Sequence, residues 1–422
     1  MGDGAPTTTD PAPPRGGRFA KHQKVIGGAS AAMTSQGVVA GSSFALQALA
    51  LHELHAVGLG VYTILANGLL VTATALHTGW IGDPLVLLDR HEPRIRRALV
   101  ATSGFSAVLS FLFGLVGAVV FAGLGVRSAA LFGLATVLWL VEETGRRLLM
   151  ARLEFAKLVA NDVAYAVAAL GVAGVITFGS RLTMDWLVFA MACGSAASIV
   201  VVVFQLPRHE LALPARGSIA YRELADVSTW RSGQLMMRPL GMLMVRVAVA
   251  SIVSKAALGL MESGRLLTAP ILTAANGFGG FTLPFFTRKR DEGDLRMPTV
   301  MAFAAVSALG AALYIPVAFL LAPSFERWTD SPTLPTALIV SWCLYTMAYA
   351  ANIPIVNALT ALMFSRTVFW GRVVDSIVIV IAAVIVVEVD GINWVPTAMT
   401  FGLVLGTALP FVVLRRNGSL AR

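Results

Sequence analysis

Runs of about twenty mostly apolar residues, broken by short clusters of charge, recur along the whole chain. A helix of that length crosses the hydrocarbon core of a bilayer. Within that core an α-helix satisfies all its backbone N–H and C=O groups inside one segment. The pattern predicts helices near 25–51, 57–79, 98–123, 128–147, 157–179 and 185–206. Six more are predicted near 230–254, 257–284, 298–322, 334–362, 368–389 and 393–414. Residues 1–24, rich in Pro, Thr, Gly and charge, are expected to form a disordered tail. The basic end of that tail mimics a signal peptide. However, 25–51 is too long for the apolar region of one and lacks a clear small-residue cleavage site, so an uncleaved first helix is expected.

Charge tests this count of twelve. With the N-terminus inside, 25 of the 32 Lys and Arg residues fall in inner segments, while the outer loops hold Arg127, Arg181, Lys255 and Arg327. A wrong helix count would scramble this alternation, because positive charge is retained on the cytoplasmic side. Both termini are therefore expected in the cytoplasm. The Ala, Val, Gly and Arg usage suggests a bacterial source, and with it the cytoplasmic membrane.

The chain also echoes itself. Asp162 and Asp375 each sit early in an apolar run behind a cationic patch, 213 positions apart. Ala56-Val-Gly-Leu-Gly resembles Ala257-Leu-Gly-Leu-Met, and Pro84…Arg90 lines up with Pro284…Arg290. Six helices return a chain to its starting side, so such repeats are parallel, related by an axis along the membrane normal. The expected organisation is an N-lobe over 25–206, a cytoplasmic linker over 207–229, a C-lobe over 230–414 and a cytoplasmic tail over 415–422. No proline falls within the six predicted N-lobe spans, whereas Pro239, Pro270, Pro316, Pro354, Pro396 and Pro410 fall within C-lobe spans, where they bend helices.

Composition agrees: 57% hydrophobic, 13% charged and a mean hydropathy of +0.77, where soluble domains carry roughly a quarter charged residues. The net charge of +9 lies in clusters between apolar runs, so it sets topology and nucleic acid is not an expected partner. Cys193 and Cys343 fall inside apolar runs and read as small buried hydrophobes. There is no GxSxG, HExxH or Walker A signature and no metal-ligand cluster, so neither an enzyme nor a cofactor or metal is expected.

What remains is charge inside the membrane, which is costly and usually faces a cavity or a partner. In the seventh span Gln234, Arg238 and Arg246 share one broad helical face. In the eighth, Glu262 and Arg265 are three apart and able to touch. Arg246 is near enough to the outer interface to snorkel there. Arg238 has no acid nearby on its own span, and a buried guanidinium without a partner invites an anionic ligand such as phosphate. Asp162 and Asp375 read first as structural carboxylates near helix starts, Asp375 within reach of Arg372. Together with Glu262 they are also the candidates for ion coupling.

The chain resembles the multidrug/oligosaccharidyl-lipid/polysaccharide (MOP) exporter superfamily. The resemblance rests on twelve spans in two lobes, the turn Gly58-Leu-Gly-Val-Tyr62 into the second span, and the junction carrying Arg146, Arg147 and Asp162. Within that superfamily it looks most like the polysaccharide-biosynthesis, O-antigen flippase-like branch. The resemblance covers about 25–414 and implies an all-α polytopic membrane protein of MATE/MOP-like fold, twelve transmembrane helices in two parallel six-helix lobes. It further implies alternating access and a cationic cavity that flips a polyprenyl-pyrophosphate-linked oligosaccharide. Arg238, Arg246 and Arg265 would meet the pyrophosphate, with Gln234 beside them. The implied partners are the lipid-linked glycan, membrane lipids, and a polysaccharide polymerase or glycosyltransferases. One departure stands out: the N-lobe spans show almost no internal basic residue, so the cationic patch is expected on one side only. The alternatives are a cation-coupled multidrug exporter, whose cavity should be acidic and aromatic, and a non-transporting scaffold for polysaccharide synthesis.

Overall fold

A computed structural model describes residues 16–211, 217–329 and 333–417. These residues build the twelve membrane-crossing helices that the apolar periodicity predicts, arranged as two parallel six-helix lobes. Helix α1 (Gly16–Tyr62) is broken at His55, whose positive φ of 56° separates the first span from the second. The second span continues through a π-helical stretch (Thr63–Leu70), α2 (Val71–His77), another π-helical turn (Thr78–Gly82) and α3 (Asp83–Leu87). Then follow α4 (Pro93–Val120), α5 (Val126–Ala151), α6 (Phe155–Gly179) and α7 (Met184–Gln205). A short α8 (Arg208–Leu211) leads to α9 (Tyr221–Ile252) and α10 (Lys255–Asp291). The ninth span is split into α11 (Met297–Leu313) and α12 (Ile315–Thr329), because Pro316 has no N–H to return to the preceding turn. Helices α13 (Thr336–Ala361), α14 (Ser365–Asp390) and α15 (Val395–Asn417) complete the second lobe.

By length and apolarity alone, nine helical stretches among the described residues qualify as spans, one of them, Met33–Leu85, holding the first two. The remaining two are α5 and α14, each 26 residues and so about 39 Å long. Charge keeps α5 from reading as a span, since Glu142, Glu143, Arg146 and Arg147 all lie within it.

The lobes meet along two seams. On one, the second span packs against α9 over most of its length. A Cβ on Gly68 would meet Leu243 and one on Gly79 would meet the Ser232 backbone at 2.4 Å, and Ser228 donates to the Trp80 carbonyl at 3.1 Å. On the other, the start of the second span crosses α10 at backbone distance. A Cβ on Gly259 would stand 1.7 Å from the Ala56 carbonyl oxygen, and one on Gly60 would stand 2.0 Å from that of Lys255. Only glycine permits such an approach. Both lie at the membrane face opposite the chain ends, where Lys255 also donates to the Ala122 carbonyl at 2.6 Å. On the terminal face, Arg90 and Arg152 each lie 3.5 Å from Glu210, pinning α8 to the first lobe's loops. There the Glu154 carboxyl is held below the usual carboxylate range by hydrogen bonds from Arg152 and Lys157.

Four sequence expectations need correction. The first helix begins at Gly16, so 16–24 are helical and not part of a disordered tail; the rest of that tail lies outside the described residues. The linker is shorter than expected, since α9 begins at Tyr221. The first lobe does hold a proline inside a span, Pro84 in α3, because the second span runs on to Leu87. Of the two cysteines, Cys343 is buried but Cys193 only half-buried.

Candidate functional site

A cavity of about 370 Å³ lies between the lobes, walled on the second-lobe side by Arg238, Arg246, Arg265, Trp342, Tyr345 and Tyr349. The three arginines are there because α9 and α10 present one face each, spaced by helical turns, toward the interior. Arg246 is buried and bonds Glu262 at 2.9 Å; its other arm donates to the Asn67 carbonyl of the second span, also at 2.9 Å. Arg265 bonds the other Glu262 oxygen and also reaches Gln47 of the first span. One carboxylate therefore holds two guanidiniums, leaving one positive charge in excess.

A second grouping repeats that arithmetic. Arg238 donates to the Tyr345 hydroxyl at 2.8 Å and sits 4.5 Å above the Tyr349 ring. Asp375 from α14 lies 3.9 Å from Arg238 and 3.5 Å from Arg372. These contacts are loose. One nitrogen of Arg238 and one oxygen of Asp375 have no hydrogen-bond partner, although both atoms are buried. Over the whole wall, four guanidiniums (Arg238, Arg246, Arg265, Arg372) face two carboxylates (Glu262, Asp375).

The first-lobe wall has the opposite balance. A cavity of about 410 Å³, bordered by Tyr62, Trp139, Glu142, Arg146, Asp162 and Tyr165, adjoins the first one, and Ser43, Asn67 and Val71 line both. Arg146 bonds Asp162 and Glu143, each at 2.8 Å, and Ser35 donates to Asp162. Arg147 bonds Glu143 at 2.7 Å and lies 3.8 Å from Asp83, which Arg231 also engages at 2.5 Å. Within the first lobe two guanidiniums (Arg146, Arg147) thus stand against four carboxylates (Asp83, Glu142, Glu143, Asp162), and Arg231 of α9 adds a third guanidinium from the second lobe. Glu142 is the carboxylate without an ion pair among the described residues: it is 4% exposed and hydrogen-bonded by Ser195 and Ser198 of α7.

Toward the opposite face the lobes come together at the Gly60–Gly259 crossing. Toward the terminal face it separates the first span from α10, with Ala40, Ser43 and Phe44 on one wall and Leu272, Thr273 and Asn276 on the other. On the same two helices, a Cβ on Gly37, Gly41, Gly277 or Gly280 would meet nothing within 4 Å.

The sequence-predicted site residues divide accordingly. Arg238, Arg246 and Arg265 come together on one wall. Glu262 lies behind them as their counter-ion, and Asp375 sits between Arg238 and Arg372. Asp162 is in the other lobe, paired with Arg146. Gln234 accepts from Arg231 at 3.3 Å and is not among the residues lining either cavity. Arg246 does not snorkel outward, because Glu262 and the Asn67 carbonyl hold it inside. Arg238 is not without an acid, since α14 packs on α9 and brings Asp375. Arg146 belongs to the interior: α5 runs to Ala151, so a residue expected at a loop is 8% exposed within the bundle. The first lobe is therefore not empty of basic residues. Sequence reasoning passed over Glu142, Trp139 and the tyrosines. The spacing of Trp139, Glu142 and Arg146, three and then four apart, was the available signal of one common helix face.

No protein-family model and no curated protein matches this chain. Solved structures do. A multidrug resistance MATE family transporter of the MOP superfamily aligns in its inward-facing conformation with a TM-score of 0.66 at 12% identity, over 92% of this chain and 95% of that one. The outward-facing conformation of such a transporter gives 0.66 at 12% identity, over 94% and 96%. A MOP superfamily transporter from Pyrococcus furiosus, whose reported pocket has reversed polarity, gives 0.61 at 11%, over 94% and 96%. Over nearly its full length, then, this chain has the fold of the MATE transporters of the MOP superfamily.

Proposed function

We propose that this protein is an alternating-access transporter that moves an amphiphile with an anionic head group, of the lipid-linked oligosaccharide class, from one membrane leaflet to the other. The observation that carries this reading is the second-lobe wall, with its excess of guanidiniums beside a gap between the first span and α10. Arginine's planar fork suits phosphate oxygens. Arg246 and Arg265 line the cavity, and the carboxylate they share leaves one positive charge over. The gap gives a lipid tail somewhere to remain in the bilayer while the head enters the cavity. Basic terminal-face loops favour an orientation with both termini in the cytoplasm of a bacterial cell.

The test is leaflet accessibility of a polyprenyl-pyrophosphate-linked sugar in proteoliposomes. Protein-dependent appearance of the sugar on the far leaflet is expected. It should be lost in Arg238→Ala and only reduced in Asp375→Asn, whose removal frees Arg238 and Arg372 from their shared counter-ion. Normal flipping by a well-inserted Arg238→Ala protein would remove this wall from the mechanism.

A second reading, export of organic cations, is favoured by the first-lobe cavity, where Glu142 lies among Trp139 and Tyr165. Gradient-driven uptake of a cationic dye without sugar movement would establish it.

A further inference from the structure

Every guanidinium on the second-lobe wall is already engaged, so its present partners show what a ligand has to replace. Glu262 takes the Nε of both Arg246 and Arg265. Each arginine also reaches across to the first lobe and ends on a neutral oxygen. A terminal nitrogen of Arg265 donates to Oε1 of Gln47, and one of Arg246 donates to the Asn67 carbonyl at 2.9 Å. Local structure aims both acceptors. The Gln47 amide nitrogen donates to the Ser43 carbonyl at 3.0 Å, which turns the amide oxygen toward Arg265, and the Asn67 side chain donates to that same oxygen at 2.7 Å. Asn67 lies in the π-helical stretch, where the Val71 N–H bonds the Gly68 carbonyl rather than the Asn67 carbonyl that a regular α-helix would give it. Gln47, Asn67, Arg246 and Arg265 all line the cavity.

We infer that Gln47 and the Asn67 carbonyl hold the places of a ligand's phosphate oxygens, and that an anionic head group displaces them from Arg265 and Arg246. A phosphate adds charge on the acceptor side and takes two guanidinium N–H groups at once, so it outcompetes a neutral amide oxygen for arginine. The exchange does more than seat the ligand, because the two bonds it breaks join the lobes. Arg265 lies six residues from Gly259 along α10, about 9 Å, so these bonds sit next to the crossing of α10 with the second span. An anionic ligand thereby loosens the lobes beside the contact that must part for the opposite face to open. A neutral or cationic ligand leaves both bonds in place. This inference rests on the proposed transport of an anionic amphiphile and specifies how that ligand is linked to opening.

The experiment pairs equilibrium binding of dodecyl phosphate with a distance measurement, on the full-length protein in a maltoside detergent with Cys193 and Cys343 replaced by Ala. Spin labels on Arg127→Cys and Arg327→Cys, exposed positions at the opposite face of the first and second lobes, report its opening. In the otherwise wild-type protein, dodecyl phosphate should bind and lengthen this distance, and dodecyltrimethylammonium should do neither. Gln47→Ala should bind dodecyl phosphate several-fold more tightly and show the longer distance without any ligand. Gln47→Glu supplies the negative charge itself, so its affinity should fall about tenfold, the scale of one charge-assisted contact, and the distance should stay short with or without ligand. Weaker binding by Gln47→Ala, or equal affinities in all three proteins, overturns the displacement and leaves the anionic reading standing. A distance that ignores bound dodecyl phosphate overturns the link to opening. Absence of any wild-type preference for dodecyl phosphate over dodecyltrimethylammonium overturns both the inference and the reading it rests on.

Discussion

A guanidinium inside a bilayer persists only while something offsets the water it has given up. Arg246 and Arg265 meet this condition by sharing Glu262, which is 1% exposed. Removing the shared carboxylate leaves two cations with no countercharge, and breaking a buried pair in this way costs about 3–5 kcal/mol. Glu262→Gln should therefore lower the thermal unfolding midpoint in detergent far more than Arg265→Gln, because losing Arg265 leaves the Arg246–Glu262 pair intact. Equal midpoints for the two variants would mean that Glu262 is not the shared counter-ion. The spacing of Glu262 and Arg265, three residues on a helix, made their contact legible in the sequence. Arg265 with Gln47, 218 positions apart, and Arg238 with Asp375, on different spans, were not legible. Helical periodicity says which way a residue faces on its own helix but not which helix stands opposite.

Among the elements, the second span and α10 are the pair whose contact leaves no slack. Gly259 and Gly60 lie where any side chain would overlap a carbonyl of the other lobe. Gly259→Ala should wedge this crossing apart and expose the cavity from the opposite face. A cysteine at Ser43, on the cavity wall, should then react several-fold faster with a membrane-impermeant maleimide added on that side. Gly277→Ala, which meets open space, serves as the control and should change nothing. Unchanged labelling in Gly259→Ala would show that the seal lies elsewhere. The echo of Ala56-Val-Gly-Leu-Gly in Ala257-Leu-Gly-Leu-Met located both glycine-bearing stretches from sequence. It could not reveal that the two stretches pack against each other.

For the whole molecule, the two seams are not alike. The second span and α9 stay in contact down to the Asp83–Arg231 pair at the terminal face. The first span and α10 instead part around the cavity mouth. Cysteines at Gly41 and Gly277 should therefore be modified by a lipid-soluble maleimide partitioned into the membrane. A cysteine at Gly79, pressed against Ser232, should resist it. Protection at positions 41 and 277 would make the gap a path for water-soluble ligands only, with no place for a lipid tail.

The sequence by itself determined that this chain is an all-helical membrane protein and how many times it crosses. Apolar length and loop charge are local properties that a bilayer reads one segment at a time. It also placed three arginines inside the second lobe, because charge within an apolar run is visible without a partner. Only the tertiary structure decided what those charges meet. It brought Asp375 to Arg238, drew Arg146 into the first lobe and set Glu142 against Ser195 and Ser198 of α7. Countercharge, cavity and seam are relations between helices distant in the chain, and they exist only once the two lobes are packed.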